Sequence, residues 1–142
     1  MTTFPRRRNR KRGVTLLEVM VVLAIIALIA GLAGPRLIDS FGRAKSRAAQ
    51  VQLSNLKSAL QLFYIDEGRF PTEAEGILAL VTAPSGLDSW KGPYVENAEV
   101  LNDPWGRPFI YRAPGQNGPF DLQSYGRDGV AGGNSEDADI SL

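Results

Sequence analysis

Two sets of carboxylates in this chain could do chemistry. The first is C-terminal, where Asp128, Glu136, Asp137 and Asp139 surround Gly129, Gly132 and Gly133 within fifteen residues of the end. Hard oxygen donors placed among glycines suit Ca²⁺, which takes six to eight oxygens from carboxylates and backbone carbonyls. The order is not that of an EF-hand, since no acids follow Asp128 at the third and fifth positions and no Glu stands twelve along. On residue types alone the segment reads equally as a cation site or as a frayed acidic tail. The second set is a single residue. Glu18 is the only ionisable side chain between Arg12 and Arg36. In a membrane-spanning helix a carboxylate costs roughly 2.5–3.5 kcal/mol at the bilayer centre, so Glu18 is expected to have a partner.

The element that carries Glu18 is an apolar run from Val14 to Gly34, long enough for a helix to cross a hydrocarbon core. Arg6, Arg7, Arg8, Arg10, Lys11 and Arg12 precede it, and a basic cluster beside a first span is held on the cytoplasmic side. A secretory signal peptide has the same order of regions. Against that reading, the run is long for an h-region, and Gly34-Pro35-Arg36 leads into an amphipathic stretch rather than a cleavage site with a polar mature start. A permanent single-span anchor is equally compatible with the hydropathy.

Composition narrows the class. The 142 residues leave room for one small domain beside the span. Sixteen Lys and Arg stand against fifteen Asp and Glu, but six of the basic residues precede Gly13, so residues 14–142 hold ten against fifteen, a net charge of −5. No basic patch beyond Arg12 argues for nucleic acid. The chain has no Cys for a disulfide or thiol nucleophile and no His for general base catalysis or transition-metal ligation. No acid–base pair or activated nucleophile is apparent, and no enzymatic activity is expected.

Beyond the span, residues 35–67 are expected to continue the helix as an amphipathic half. Leu37, Phe41, Ala44, Ala48, Val51, Ala59 and Phe63, with Leu56 and Leu60 beside them, recur at helical spacing and predict a stripe facing a soluble domain. Asp39, Arg43, Arg47, Gln50, Ser54 and Gln61 take the other faces. Gly34-Pro35 predicts a kink or a short melted segment, and Gly68 a stop. Thr72 and Glu75 have capping-box spacing and predict a short helix through Ile77, Leu78, Leu80 and Val81. Residues 85–108 read as irregular structure plugged by Trp90, Tyr94 and Trp105. Phe109–Ala113 and Phe120–Tyr125 read as a hairpin around Pro114–Pro119, which needs the long helix behind it. The expected class is α+β: one long helix packed on a small antiparallel sheet.

At Gly13-Val14-Thr15-Leu16-Leu17-Glu18 the sequence resembles the N-terminal signal of the type IV pilin and pseudopilin class, matching at every position. The resemblance implies that residues 1–13 are a leader removed after Gly13 by a prepilin peptidase, and that Val14 is N-methylated. It implies that residues 14–34 persist as the transmembrane and filament-core helix, with Glu18 neutralising the N-terminal amine of a neighbouring copy.

A closer resemblance covers nearly all of residues 14–142. Gly68-Arg69-Phe70-Pro71-Thr72, Gly92-Pro93-Tyr94, Asp103-Pro104-Trp105-Gly106 and Ser124–Gly129, ending in Asp137-Ala138-Asp139-Ile140, are similar to the major-pseudopilin branch of type II secretion systems. That branch implies a structural Ca²⁺ held by Asp128, Asp137, Asp139 and the Tyr125 carbonyl, with Glu136 and the carbonyls near Val130 and Gly133 as weaker donors. It also implies a homo-oligomeric periplasmic filament, grown from the inner membrane with the C-terminal domain in the periplasm. The implied partners are the prepilin peptidase, an assembly-platform inner-membrane protein, minor pseudopilins and a separate motor, since no Walker loop occurs here. The alternatives are a type IV pilin of a surface fibre for adhesion or DNA uptake, and a membrane-anchored enzyme or sensor.

Overall fold

The structure is a computed structural model that describes residues 13–142. The basic leader cluster from Arg6 to Arg12 therefore lies outside the described residues. Helix α1 spans Leu16–Glu67. Its first part, Leu16–Gly34, is long and apolar enough to cross a membrane, and none of its side chains is buried. The helical assignment runs unbroken through Gly34 and Pro35, so of the kink or melted segment expected there the melted alternative is absent. Proline removes one rung of the ladder, and the rungs on either side carry the helix past it.

Residues Asp39–Leu142 form a compact unit of their own. Within it α1 turns Gly42, Ala49, Leu53, Leu56, Ala59, Leu60 and Phe63 inward, with Leu53, Leu60 and Phe63 wholly buried. The stripe through Leu37, Phe41, Ala44, Ala48 and Val51 is exposed, which corrects the expectation that it faces the domain. Both stripes keep spacings of three and four, but their mean directions differ by about 110° around a helix of 3.6 residues per turn. Ala59 and Phe63 belong to the buried stripe, not the exposed one. Helix α1 ends where expected: Gly68 takes φ 69° and its N–H donates to the Tyr64 carbonyl at 2.8 Å.

The rest of the core comes from short pieces laid against that face. Thr72 and Glu75 do form reciprocal bonds, Thr72 N–H to Glu75 Oε2 at 2.7 Å and Glu75 N–H to Thr72 Oγ1 at 3.3 Å. The next element is a single 3₁₀ turn, Ile77–Leu80, rather than an α-helix, because Gly76 intervenes at φ 60°. Ile77, Ala79 and Leu80 are buried. Trp90 and Tyr94 do plug the core. The Trp90 indole N–H donates to the Ala79 carbonyl at 2.9 Å, and the Tyr94 ring lies 5.4 Å from Phe63. A second 3₁₀ turn, Ala98–Leu101, contributes buried Leu101.

The sheet is antiparallel and three-stranded, in the order β1 (Ile110–Arg112), β2 (Asp121–Ser124), β3 (Ile140–Ser141). Tyr111 pairs with Leu122 and Ser124 with Ile140. The hairpin was legible from its turn; β3 was not. Two residues are too few to show alternation, and Ile140 becomes a strand only because β2 offers it an edge.

Candidate functional site

At the N-terminal end, Gly13 and Val14 are exposed and non-helical, so the peptide bond between them is accessible. Thr15 caps α1: its carbonyl accepts from Val19 N–H at 3.2 Å and its Oγ1 from Glu18 N–H at 3.2 Å. The Thr-Leu-Leu-Glu spacing is that of a capping box, so this helix start has a signal in the sequence itself. Glu18 thus sits in the first turn of α1, where the helix dipole favours an anion. It is exposed, and among the described residues its carboxylate has no ion pair or hydrogen bond.

The acidic loop is held at its base by Asp103, which the sequence marks only as the start of the family-like Asp103-Pro104-Trp105-Gly106 segment, with no role of its own. Asp103 is buried; its Oδ1 accepts from Trp105 N–H at 3.0 Å and Arg107 N–H at 2.9 Å. Its Oδ2 accepts from the Ser124 hydroxyl at 2.6 Å, at the end of β2. The Asp103-Pro104-Trp105-Gly106 turn is thereby tied to the strand that leads into the loop. Arg107 adds two bonds, to the carbonyls of Gly126 at 2.8 Å and Arg127 at 2.6 Å. Gly126 needs its φ of 63°, and a Cβ there would run into the Glu136 and Ala138 carbonyls.

Beyond Arg127 the chain folds back on itself. Arg127 N–H donates to the Glu136 carbonyl at 2.8 Å. The Arg127 guanidinium forks onto Asp137, Nε to Oδ1 at 2.8 Å and a terminal nitrogen to Oδ2 at 2.9 Å. That pairing raises the Arg127 pKa further, chiefly through the side-chain hydrogen bond to Asp137. Asp128 accepts from Val130 N–H at 3.0 Å, and Asp139 from Gly132 N–H at 3.0 Å. The Tyr125 carbonyl accepts from Gly129 N–H at 3.3 Å. The four residues named as Ca²⁺ donors all lie in this loop. Both carboxylate oxygens of Asp137 but only one each of Asp128 and Asp139 are engaged, and among the described residues no three acidic side chains gather in a way that could hold a metal. The donor chemistry fits a hard cation, and Asp137 is here turned to Arg127.

Comparisons with known proteins bear on both ends of the chain. Residues 36–142 match the family model described as type II secretion system protein G, and residues 8–34 match the prokaryotic N-terminal methylation motif. Similar proteins include the type II secretion system core protein G of Xanthomonas campestris pv. campestris, 39% identical over 140 residues, covering 99% of this chain and 94% of that protein. Another is the core protein G of Pseudomonas aeruginosa, 38% identical over 138 residues, covering 94% and 96%. Among solved structures, the crystal structure of the major pseudopilin of enterohaemorrhagic Escherichia coli is similar, with TM-score 0.58, 31% identity, and coverage of 75% of this chain and 93% of that one. With a methylation motif running into an apolar helix and a matching α+β domain behind it, the chain belongs to the type II secretion system protein G family.

Proposed function

We propose that this chain is the major structural subunit of a type II secretion pseudopilus, assembling from the inner membrane into a periplasmic filament that helps to move exoproteins outward. The observation that carries this reading is Glu18, a solitary carboxylate in the first turn of an apolar helix, one turn from an exposed Gly13–Val14 bond. After cleavage at that bond, the N-methylated amine of Val14 on one copy would meet Glu18 of the next, and neither charge would stay unpaired in an apolar environment. The span Leu16–Gly34 would anchor the subunit with its N-terminus cytoplasmic before assembly. The domain functions as a rigid block in this reading, and none of its residues is assigned a catalytic role. Prepilin peptidase, an assembly-platform protein and minor pseudopilins are its proposed partners.

Calcium is proposed as a structural cation of the loop, with Asp128, Asp137, Asp139 and the Tyr125 carbonyl as donors. The residue types support it. Asp137 would have to leave Arg127 to take part.

The type IV pilin alternative shares the N-terminal signal but not the match over residues 36–142. Intact-mass analysis of protein extracted from membranes tests the proposal. A methylated chain beginning at Val14 is expected, whereas a start at Met1 or beyond Gly34 would refute it.

A further inference from the structure

Between α1 and the acidic loop lies a cleft of about 230 Å³, walled by Arg43, Ser46, Arg47, Gln50, Ser135 and Glu136. Arg43 and Arg47 are one helical turn apart, so their guanidinium groups share a face. Both are exposed. Neither forms an ion pair among the described residues, and Arg43 donates only to the Ser40 hydroxyl at 3.2 Å. The Ser46 hydroxyl is spent on the Gly42 carbonyl. Glu136 is the one anion in the wall, and its Oε2 is also drawn by Arg127, 3.9 Å away. Two guanidinium groups with less than one carboxylate between them leave the cleft short of an anion.

We propose that this cleft takes an exposed carboxylate from a second copy of the chain. The inference rests on the proposed filament and deepens it by naming one of the contacting surfaces. Charge complementarity points to a copy rather than another molecule. Residues 36–57 carry five cations against Asp39 alone, while residues 68–142 carry eleven acids against five bases. Among those acids, Glu73, Asp88, Glu96 and Glu99 are exposed, and none makes a side-chain hydrogen bond or ion pair among the described residues. A subunit that is cationic along residues 36–57 and anionic on its loops attracts its own kind in a head-to-tail sense. Such a contact uses two different patches, so it does not close, and it repeats into a filament.

The test uses the full chain processed in membranes, with assembly read as the fraction that sediments. Reversing both charges, Arg43→Glu with Arg47→Glu, is expected to lower that fraction about tenfold, because attraction becomes repulsion. Adding Glu73→Arg, Asp88→Arg, Glu96→Arg or Glu99→Arg to the reversed chain is expected to restore it in one case. Restoration by none, or an unchanged fraction on reversal, overturns the proposal. As a second measurement, Arg47→Lys is coupled with a zero-length carbodiimide in a mixture of isotopically light and heavy copies. A light–heavy amide from position 47 to one of the four acids is expected, and a link to Glu136 of the same chain alone overturns the assignment. A parent chain that never sediments overturns the filament reading and the cleft's role together. A parent that sediments no better than the reversed chain overturns the cleft's role alone.

Discussion

The Glu136 side chain lies directly on Gly42, and a Cβ at position 42 would overlap its carboxylate and Cγ. A residue 94 positions away thus occupies the gap that glycine leaves on α1, docking the acidic loop to the helix. Glycine in a helix interior ordinarily costs about 1 kcal/mol relative to alanine, so the contact explains why Gly42 is tolerated there. Gly42→Ala is expected to raise amide exchange at residues 135–137 with little change in the unfolding midpoint, since helix gain and loop displacement oppose. In a Glu136→Ala background the same substitution should stabilise by about 1 kcal/mol. Stabilisation of equal size in both backgrounds would disprove the docking.

The two stripes of α1 should respond differently to truncation. Leu53 is wholly buried and Val51 is 60% exposed. Leu53→Ala is expected to cost about 2–5 kcal/mol of domain stability, and Val51→Ala no more than about 0.5 kcal/mol. Thermal unfolding of the detergent-solubilised chain measures both, and comparable losses would mean that the faces are misassigned.

For assembly, the decisive side chain is Glu18. Glu18→Ala should insert and lose its leader normally, because the cleaved bond and the apolar run are untouched, yet fail to form sedimenting filaments. Filaments of normal yield from this variant would contradict the pairing of Glu18 with a neighbouring amine.

Calcium and Arg127 are expected to compete for Asp137. Addition of Ca²⁺ should raise the melting temperature of the parent over that in chelator, and Asp139→Ala should erase the difference. Arg127→Ala should enlarge it, because Asp137 is then free to ligate. A parent chain indifferent to chelator would remove Ca²⁺ from the proposal and leave the guanidinium fork as the closure of the loop.

Glu75 supplies a pH dependence with a definite sign. Its carboxylate accepts from the Arg69 guanidinium at 2.6 and 2.8 Å, which with the Thr72 bonds lowers its pKa from 4.5 to about 2. A group whose pKa falls on folding stabilises the fold at pH above its unfolded value. The contribution is therefore whole above about pH 4.5 and lost as pH falls towards 2. Glu75→Gln should flatten the stability profile across that window, and a profile as steep as the parent's would assign the acid sensitivity elsewhere.

Much of the molecule is dictated by residues close together along the chain. The apolar run and its single carboxylate, the stop at Gly68, the reciprocal bonds of Thr72 and Glu75 and the hairpin around Pro114–Pro119 all depend on neighbours within a few positions. For that reason period and turn chemistry were enough to find them. Tertiary structure decided which of two equally regular stripes on α1 is buried, because that choice belongs to whatever packs against the helix. It also set Asp103 on Ser124, Arg127 on Asp137, Glu136 on Gly42, and Ile140 on the free edge of β2. Each of these pairs joins residues ten or more positions apart, and no local rule acts over such separations until the core has brought the backbone together.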